Sequence, residues 1–406
     1  MTHRRPPPFR LSRRQSLALI GIGLVGPAFG QTGTAWPAIE SKARGQKVFF
    51  NAWGGSEQTN AYLQWAASEA ARRFGLQVEH VKLTDTAEAV KRVRSEKAAG
   101  KQTGGSVDLI WINGENFLTM KREALLFGPF SENLPNYKWV DVMGKPTTRS
   151  DFSEPVDGLE APWGMAQFTF FADRKRVPKP PRSMAELAAF ARANPGRVSY
   201  PRPPDFTGTT FLKQALLELN TDRAPLYKPV TPEAFAKATA ALWPYLTALH
   251  PHLWRAGKQF PQTPAAIRQM MADGELLLAL TFNPNEAANE IAAKRQADSV
   301  YSWQMSAGSV GNTHFLAIPF NSAAKEAAQV FANFLLSPEA QARKADITVW
   351  GDPTVLAVHK LDAADRQRFG DRPQAGQVEQ SAPVLLEPHG SWVDPLEREW
   401  LRLYGR

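Results

Sequence analysis

Four short polar segments carry the residues best suited to grip a small solute. They read N-A-W-G-G-S-E (Asn51 to Glu57), N-G-E-N-F (Asn113 to Phe117), D-F-T-G-T-T (Asp205 to Thr210) and T-F-N-P-N-E (Thr281 to Glu286). Gly54, Gly55 and Gly208 let backbone N–H groups approach a ligand, and Trp53 offers a stacking face. Asn113, Asn116, Asn283 and Asn285 supply amides, Thr207, Thr209 and Thr210 hydroxyls, and Glu115, Asp205 and Glu286 carboxylates. Trp163, ahead of a long strand pattern, is a further face for the same site. This is a chemistry of hydrogen bonding and stacking. Each group also has a plainer use: Trp53 as packing under a helix, the Asn, Thr and Glu residues as helix caps and solvated turns.

Two solute charges stay open. A helix opening at Thr207 with free N–H donors suits an anion. Glu57, Glu115, Asp205 and Glu286 suit a cation, and carboxylates beside aromatic faces fit amines or thiazolium-like rings. A zwitterion satisfies both.

The elements that must position these segments follow from periodicity. K-V-F-F-N-A-W (Lys47 to Trp53), L-Q-V-E-H-V-K-L and S-V-D-L-I-W-I read as strands. Between them, Ser56 to Phe74, with Ala61, Trp65, Ala66 and Ala70 on one face, and T-D-T-A-E-A-V-K-R-V-R read as helices. Gly164 to Pro178 is a long strand pattern, G-R-V-S-Y-P (Gly196 to Pro201) a short one, and Thr231 to His250 a helix. L-L-L-A-L-T and G-N-T-H-F-L-A-I-P are strands, and the chain closes in helices, with residues 361–388 loose. Strand–helix alternation predicts α/β architecture with a mostly parallel sheet, whose ligands sit beyond the carboxyl ends of the strands.

In order and spacing, V-F-F-N-A-W-G-G, V-D-L-I-W-I-N-G-E-N-F, P-D-F-T-G-T-T-F-L, T-F-N-P-N-E and A-A-Q-V-F-A-N-F-L-L-S-P-E-A-Q…W-G-D resemble the type II periplasmic solute-binding proteins of ABC importers. The branch most similar is the YnjB-like one, related to binders of thiamine, polyamines and iron. The resemblance implies two α/β lobes, 45–163 plus 313–406 and 164–312, with a hinge and an interlobe cleft. The crossings fall at Gly164 to Ala172 and Thr313 to Pro319. It also implies delivery of the solute to an ABC permease in the inner membrane. Iron-binding relatives use neighbouring tyrosines; the seven tyrosines here are scattered. A solute-sensing subunit for a membrane receptor is the alternative within the same fold.

S-R-R-Q-S-L-A, from Ser12, precedes the apolar run Leu17 to Gly30. A basic flank, a short apolar core and small residues near Gly30 predict a cleavable twin-arginine signal over 1–30, a linker over 31–44 and a periplasmic protein. Arg4, Arg5, Arg10, Arg13 and Arg14 supply more than half of the net charge of +9. The remaining basicity is mild and forms no stripe, so no nucleic acid partner is expected. The absence of cysteine excludes disulfides, thiolate metal sites and cysteine nucleophiles. His250 and His252 are a weak zinc pair better read as a surface loop, so no metal or cofactor is expected. A-G-S-V-G around Ser309 imitates a nucleophile elbow, the basis of a secreted-hydrolase alternative, but a strand pattern rather than a helix follows it. A monomer is expected.

Overall fold

The computed structural model describes residues 35–370, 375–378 and 382–405; the predicted export signal lies outside them. Ile39 and Ala43, one helical turn apart, are buried on α1 (Trp36–Ala43), so most of the stretch read as a linker is a packed helix. β1 (Lys47–Trp53) runs into α2 (Glu57–Phe74), capped by the Ser56 hydroxyl, which accepts from the Thr59 N–H. β2 (Gln77–Leu83), α3 (Ala87–Ala98), β3 (Leu109–Ile112) and α4 (Gly114–Arg122) continue the alternation. A small hairpin, β4 (Ser150–Asp151) and β5 (Glu154–Pro155), follows. The long strand pattern is two strands, β6 (Glu160–Gln167) and β7 (Thr169–Asp173), divided at Phe168.

Then come α5 (Met184–Ala193), α6 (Phe206–Leu219), α7 (Pro232–Thr239), α8 (Leu242–Leu249), α9 (Pro264–Ala272), β8 (Ala279–Thr281), α10 (Glu286–Ala292) and β9 (Val300–Trp303). β10 (Ser309–Ala317), α11 (Lys325–Leu335), α12 (Pro338–Ala345), α13 (Ala363–Gln367), β11 (Val384–Leu386) and α14 (Val393–Tyr404) complete the order.

One sheet has the order β11-β10-β3-β1-β2, with β6 also paired to β10. Within it β1 lies parallel to both β2 and β3, while β10 is antiparallel to β3 and β6. The other sheet, β8-β7-β9, is antiparallel. The chain passes from one sheet to the other at Phe168, whose N–H donates to the Val310 carbonyl at 2.7 Å, and again between β9 and β10. One face of the first sheet packs Phe50, Tyr62, Trp163 and Phe331; its other face packs Ile110, Phe117 and Phe315. The second core gathers Phe170, Tyr200, Leu212, Trp303 and Trp400.

Several local expectations need correction. α14, grouped above with the first sheet, packs into the second core through Leu396 and Trp400. Gly196 to Pro201 forms no strand, because the Val198 carbonyl accepts from the Trp254 N–H and the Arg197 carbonyl from the Leu277 N–H. Thr231 to His250 is two helices broken at residues 240–241. Ala61 is exposed; Tyr62 and Leu63 take the buried face of α2.

Candidate functional site

Because β1, β2 and β3 are parallel, Trp53, Leu83 and Ile112 end on one edge, with Trp53 in register with Leu83. The Gly54 N–H donates to the Leu83 carbonyl at 3.0 Å and the Thr86 hydroxyl to the Trp111 carbonyl at 3.1 Å, which locks the loops together. Trp53 is 42% exposed, and its ring meets Trp111 edge-on at 6.5 Å. A Cβ on Gly55 would stand 2.3 Å from the Trp53 ring, so glycine lets the indole lie over its own loop; one on Gly54 would press on Lys82.

At the end of β3, Asn113 caps α4 with its backbone, while its side chain makes no capping hydrogen bond. Gly114 is left-handed, with φ of 64°. Its N–H donates to Asp151 Oδ2 at 2.7 Å, and a Cβ there would strike the Phe152 ring. Burial raises the pKa of Glu115; Lys213 opposes this, and Asp85 and Glu387 add to it. Asn116 Nδ2 donates to Glu115 Oε1 at 3.2 Å.

The opening of α6 is already satisfied. Asp205 Oδ1 accepts from the N–H groups of Thr207 and Gly208 at 2.9 and 3.0 Å, so the donors that suggested an anion are occupied. Thr209 Oγ1 donates to Glu397 Oε1 at 2.7 Å and Thr210 Oγ1 to the Phe206 carbonyl at 2.8 Å. Thr207, Thr209 and Thr210 are buried, and Gly208 sits against the Pro201 carbonyl. Asp205, Thr209 and Thr210 are thereby committed to the helix start and its packing. Burial pushes Asp205 up to about 6; the two backbone bonds oppose this and Asp85 adds to it. Burial likewise lifts Glu397 to about 7, against the Thr209 hydrogen bond.

On the loop after β8, Asn283 Oδ1 accepts from the Asn285 N–H at 3.0 Å, and Asn285 Nδ2 donates to the Gly351 carbonyl at 2.7 Å. Glu286 is paired with Arg268 and so is spoken for. Trp163 is wholly buried, edge-on to Trp111 at 5.0 Å, one layer beneath the surface it was expected to reach.

A ring of contacts links the four segments. Trp53 meets Trp111, and Trp111 meets Trp350 at 5.6 Å. The Trp350–Gly351 turn is bonded to Asn289 and Asn285. From that loop Phe282 meets Phe206 at 5.2 Å, Phe206 meets Phe152 at 6.4 Å, and Phe152 underlies Gly114. The segments that carry Trp53, Asn113, Glu115, Asp205 and Asn283 to Asn285 are thus joined by one chain of contacts, with Trp163 buried beneath Trp111.

The sequence reading missed Asp85, Phe152, Phe206, Lys213, Glu387 and Glu397. Lys213 had a signal: it interrupts the otherwise apolar, buried run Phe211 to Leu217, with only Gln214 beside it as another polar group. Glu397 had none, because its partner Thr209 lies far away in the chain.

The other candidates have structural employment. Ser309 is fully buried at the start of β10 and its Oγ accepts from the Met305 N–H, so no elbow forms. His250 is buried rather than on a surface loop. Its Nε2 lies 2.7 Å from the Tyr200 hydroxyl, and burial lowers it to about 4.

A family model described as bacterial extracellular solute-binding protein matches residues 64–364. The chain belongs to this family. As a solute-binding protein it is 49% identical over 370 residues to protein YnjB of Escherichia coli K12, covering 91% of this chain and 94% of YnjB. The periplasmic binding protein AfuA of Actinobacillus pleuropneumoniae, with exogenous fructose-6-phosphate bound, superposes with a TM-score of 0.61 at 13% identity, covering 89% of this chain and 99% of AfuA. The spermidine/putrescine substrate-binding protein PotD of Streptococcus pneumoniae gives 0.61 at 14% identity, covering 89% of this chain and 100% of PotD. The solute-binding fold, α/β and type II, is therefore established. Among the described residues no helix is long and apolar enough to cross a membrane.

Proposed function

We propose that the protein captures a small organic cation, an amine or a charged heterocycle, between two lobes that hinge shut, and delivers it to an ABC permease from the periplasm. The observation that carries the charge assignment is the set of buried acids Glu115, Asp205 and Glu397, each with its pKa raised chiefly by burial; Asp85 adds to the first two and Glu115 to Glu397, while Lys213 opposes the rise at Glu115 and Glu397. A neighbouring solute cation favours the ionised form of such carboxylates, and an anion opposes it. Asp205 occupies the helix start that an anion would need, and Trp53 and Phe206 supply exposed aromatic faces for cation–π contact.

Lobe division follows the two cores. The first sheet with its helices is one lobe, and the segment from β7 through β9, joined by α14, is the other. PotD names polyamines and AfuA a sugar phosphate, so the fold is compatible with either charge. The acids of this chain favour the polyamine side, with thiamine-like ring cations in the same class. A thermal-shift screen of spermidine, putrescine, thiamine, γ-aminobutyrate and fructose-6-phosphate tests the proposal. The cations are expected to raise the melting point in a concentration-dependent way. A rise with the sugar phosphate alone would overturn it.

A further inference from the structure

Lys213 sits where a solute cation would be expected to sit. Its Nζ lies 4.3 Å from the Phe152 ring centroid and 5.3 Å from that of Phe206, and 2.7 Å from Glu387 Oε2. Both members of this ion pair are 1% exposed, whereas Phe206 is 37% exposed. Glu387 Oε1 accepts in turn from Asn312 Nδ2 at 3.0 Å. Lys213 belongs to α6 in the second core, whereas Asn312 is on β10 of the first sheet and Glu387 directly follows β11 there. Two aromatic faces and a carboxylate around one ammonium form a cation cage.

The pair is a poor stabilising device. Desolvating both charges costs about as much as their attraction returns, and an apolar pair of similar volume serves a core as well or better. The neighbours Leu212, Ala215, Leu216 and Leu217 show that this helix is otherwise apolar and buried here. Lysine, on a flexible four-carbon stem, is the residue that can leave such a seat. We infer that Lys213 is a tethered cation filling a seat made by Phe152, Phe206 and Glu387, and that an incoming solute ammonium displaces it. The tether lowers affinity for solute and restricts the seat to groups that outcompete an ammonium. This rests on the cationic-solute reading.

Spermidine titrated by calorimetry into wild type and Lys213→Met tests the inference. The variant is expected to bind at least ~10-fold more tightly, since it no longer competes with itself. Because Lys213→Met leaves Glu387 buried without its partner and can fail to fold, a variant-free measurement accompanies it. The Lys213 ε-methylene resonance, shifted in the solute-free protein by the rings of Phe152 and Phe206, should move on saturation with spermidine. Wild type that binds spermidine while this resonance stays fixed, or a folded Lys213→Met that binds no more tightly, overturns the tether and leaves the cationic reading intact. Absence of binding to wild type and Lys213→Met by spermidine and thiamine alike overturns the cationic reading itself.

Discussion

Asn285 Nδ2 donates to the Gly351 carbonyl at 2.7 Å, and beside it Asn289 Nδ2 donates to the Trp350 carbonyl. The pair ties the loop after β8 and the start of α10 to the turn that follows α12. That turn is fixed from behind. Asp352 is held by His314 at 3.1 Å and by Lys344, and Gly351 adopts a φ of 79° that other residues reach only with strain. The two segments are thus joined by a preset carbonyl pair clasped by two amides.

Asn285→Ala should loosen this clasp. Loss of one hydrogen bond of this kind is worth about 0.5–1.5 kcal/mol, so solute affinity is expected to fall several-fold while the melting point hardly changes. Titration calorimetry and thermal unfolding read the two quantities. Unaltered affinity in a folded Asn285→Ala protein would argue against a clasp.

Trp53 and Gly55 should behave as a unit. Trp53→Ala removes an exposed ring, so binding weakens with little effect on folding. Gly55→Ala places a methyl group 2.3 Å from the indole and must displace it, giving a similar binding loss with the tryptophan still present. Intrinsic fluorescence and titration of both variants check this. A Gly55→Ala protein with wild-type affinity removes Trp53 from the solute surface.

Trp163→Ala should act on stability instead. The ring is fully buried against Phe50, Trp111 and Trp350, so its removal should cost about 3–5 kcal/mol. Denaturant unfolding measures it. A cost below about 1 kcal/mol would contradict the core placement.

Stability and binding should respond oppositely to pH. Asp205 and Glu397 are raised to about 6 and about 7 from 3.8 and 4.5, so the folded state holds more protons than the unfolded chain in between. Their contribution to stability is full below roughly pH 4 and is lost as the pH rises through those values. A cation needs the ionised carboxylates, so its affinity should increase over the same window. The gain should reach up to about tenfold per pH unit for each proton released. Glu397→Gln should flatten the upper part of this rise, as titration at pH 5 to 8 would record.

The fold was legible where periodicity was strong. The three parallel strands and their polar ends followed from alternation and glycine punctuation, and the edge they share followed from parallel topology. The Thr-Gly-Thr-Thr helix start misled, because a carboxylate two residues upstream took the donors that a ligand was expected to use. Trp163 looked like a cleft residue from its place beside Gly164, yet packing drew it under Trp111. Phe152, Glu387 and Glu397 were out of reach, since their partners Gly114, Lys213 and Thr209 lie 38 to 188 residues away in the chain and only the tertiary fold joins them.

Direct titration of the purified protein with spermidine and thiamine on one side and fructose-6-phosphate on the other, at pH 7.5 and low salt, weighs the account most heavily. Saturable binding of a cation, abolished or strongly weakened in Glu115→Gln/Glu397→Gln, with no heat from the sugar phosphate, is the predicted result. Saturable binding of the sugar phosphate, with both cations inert, would contradict it.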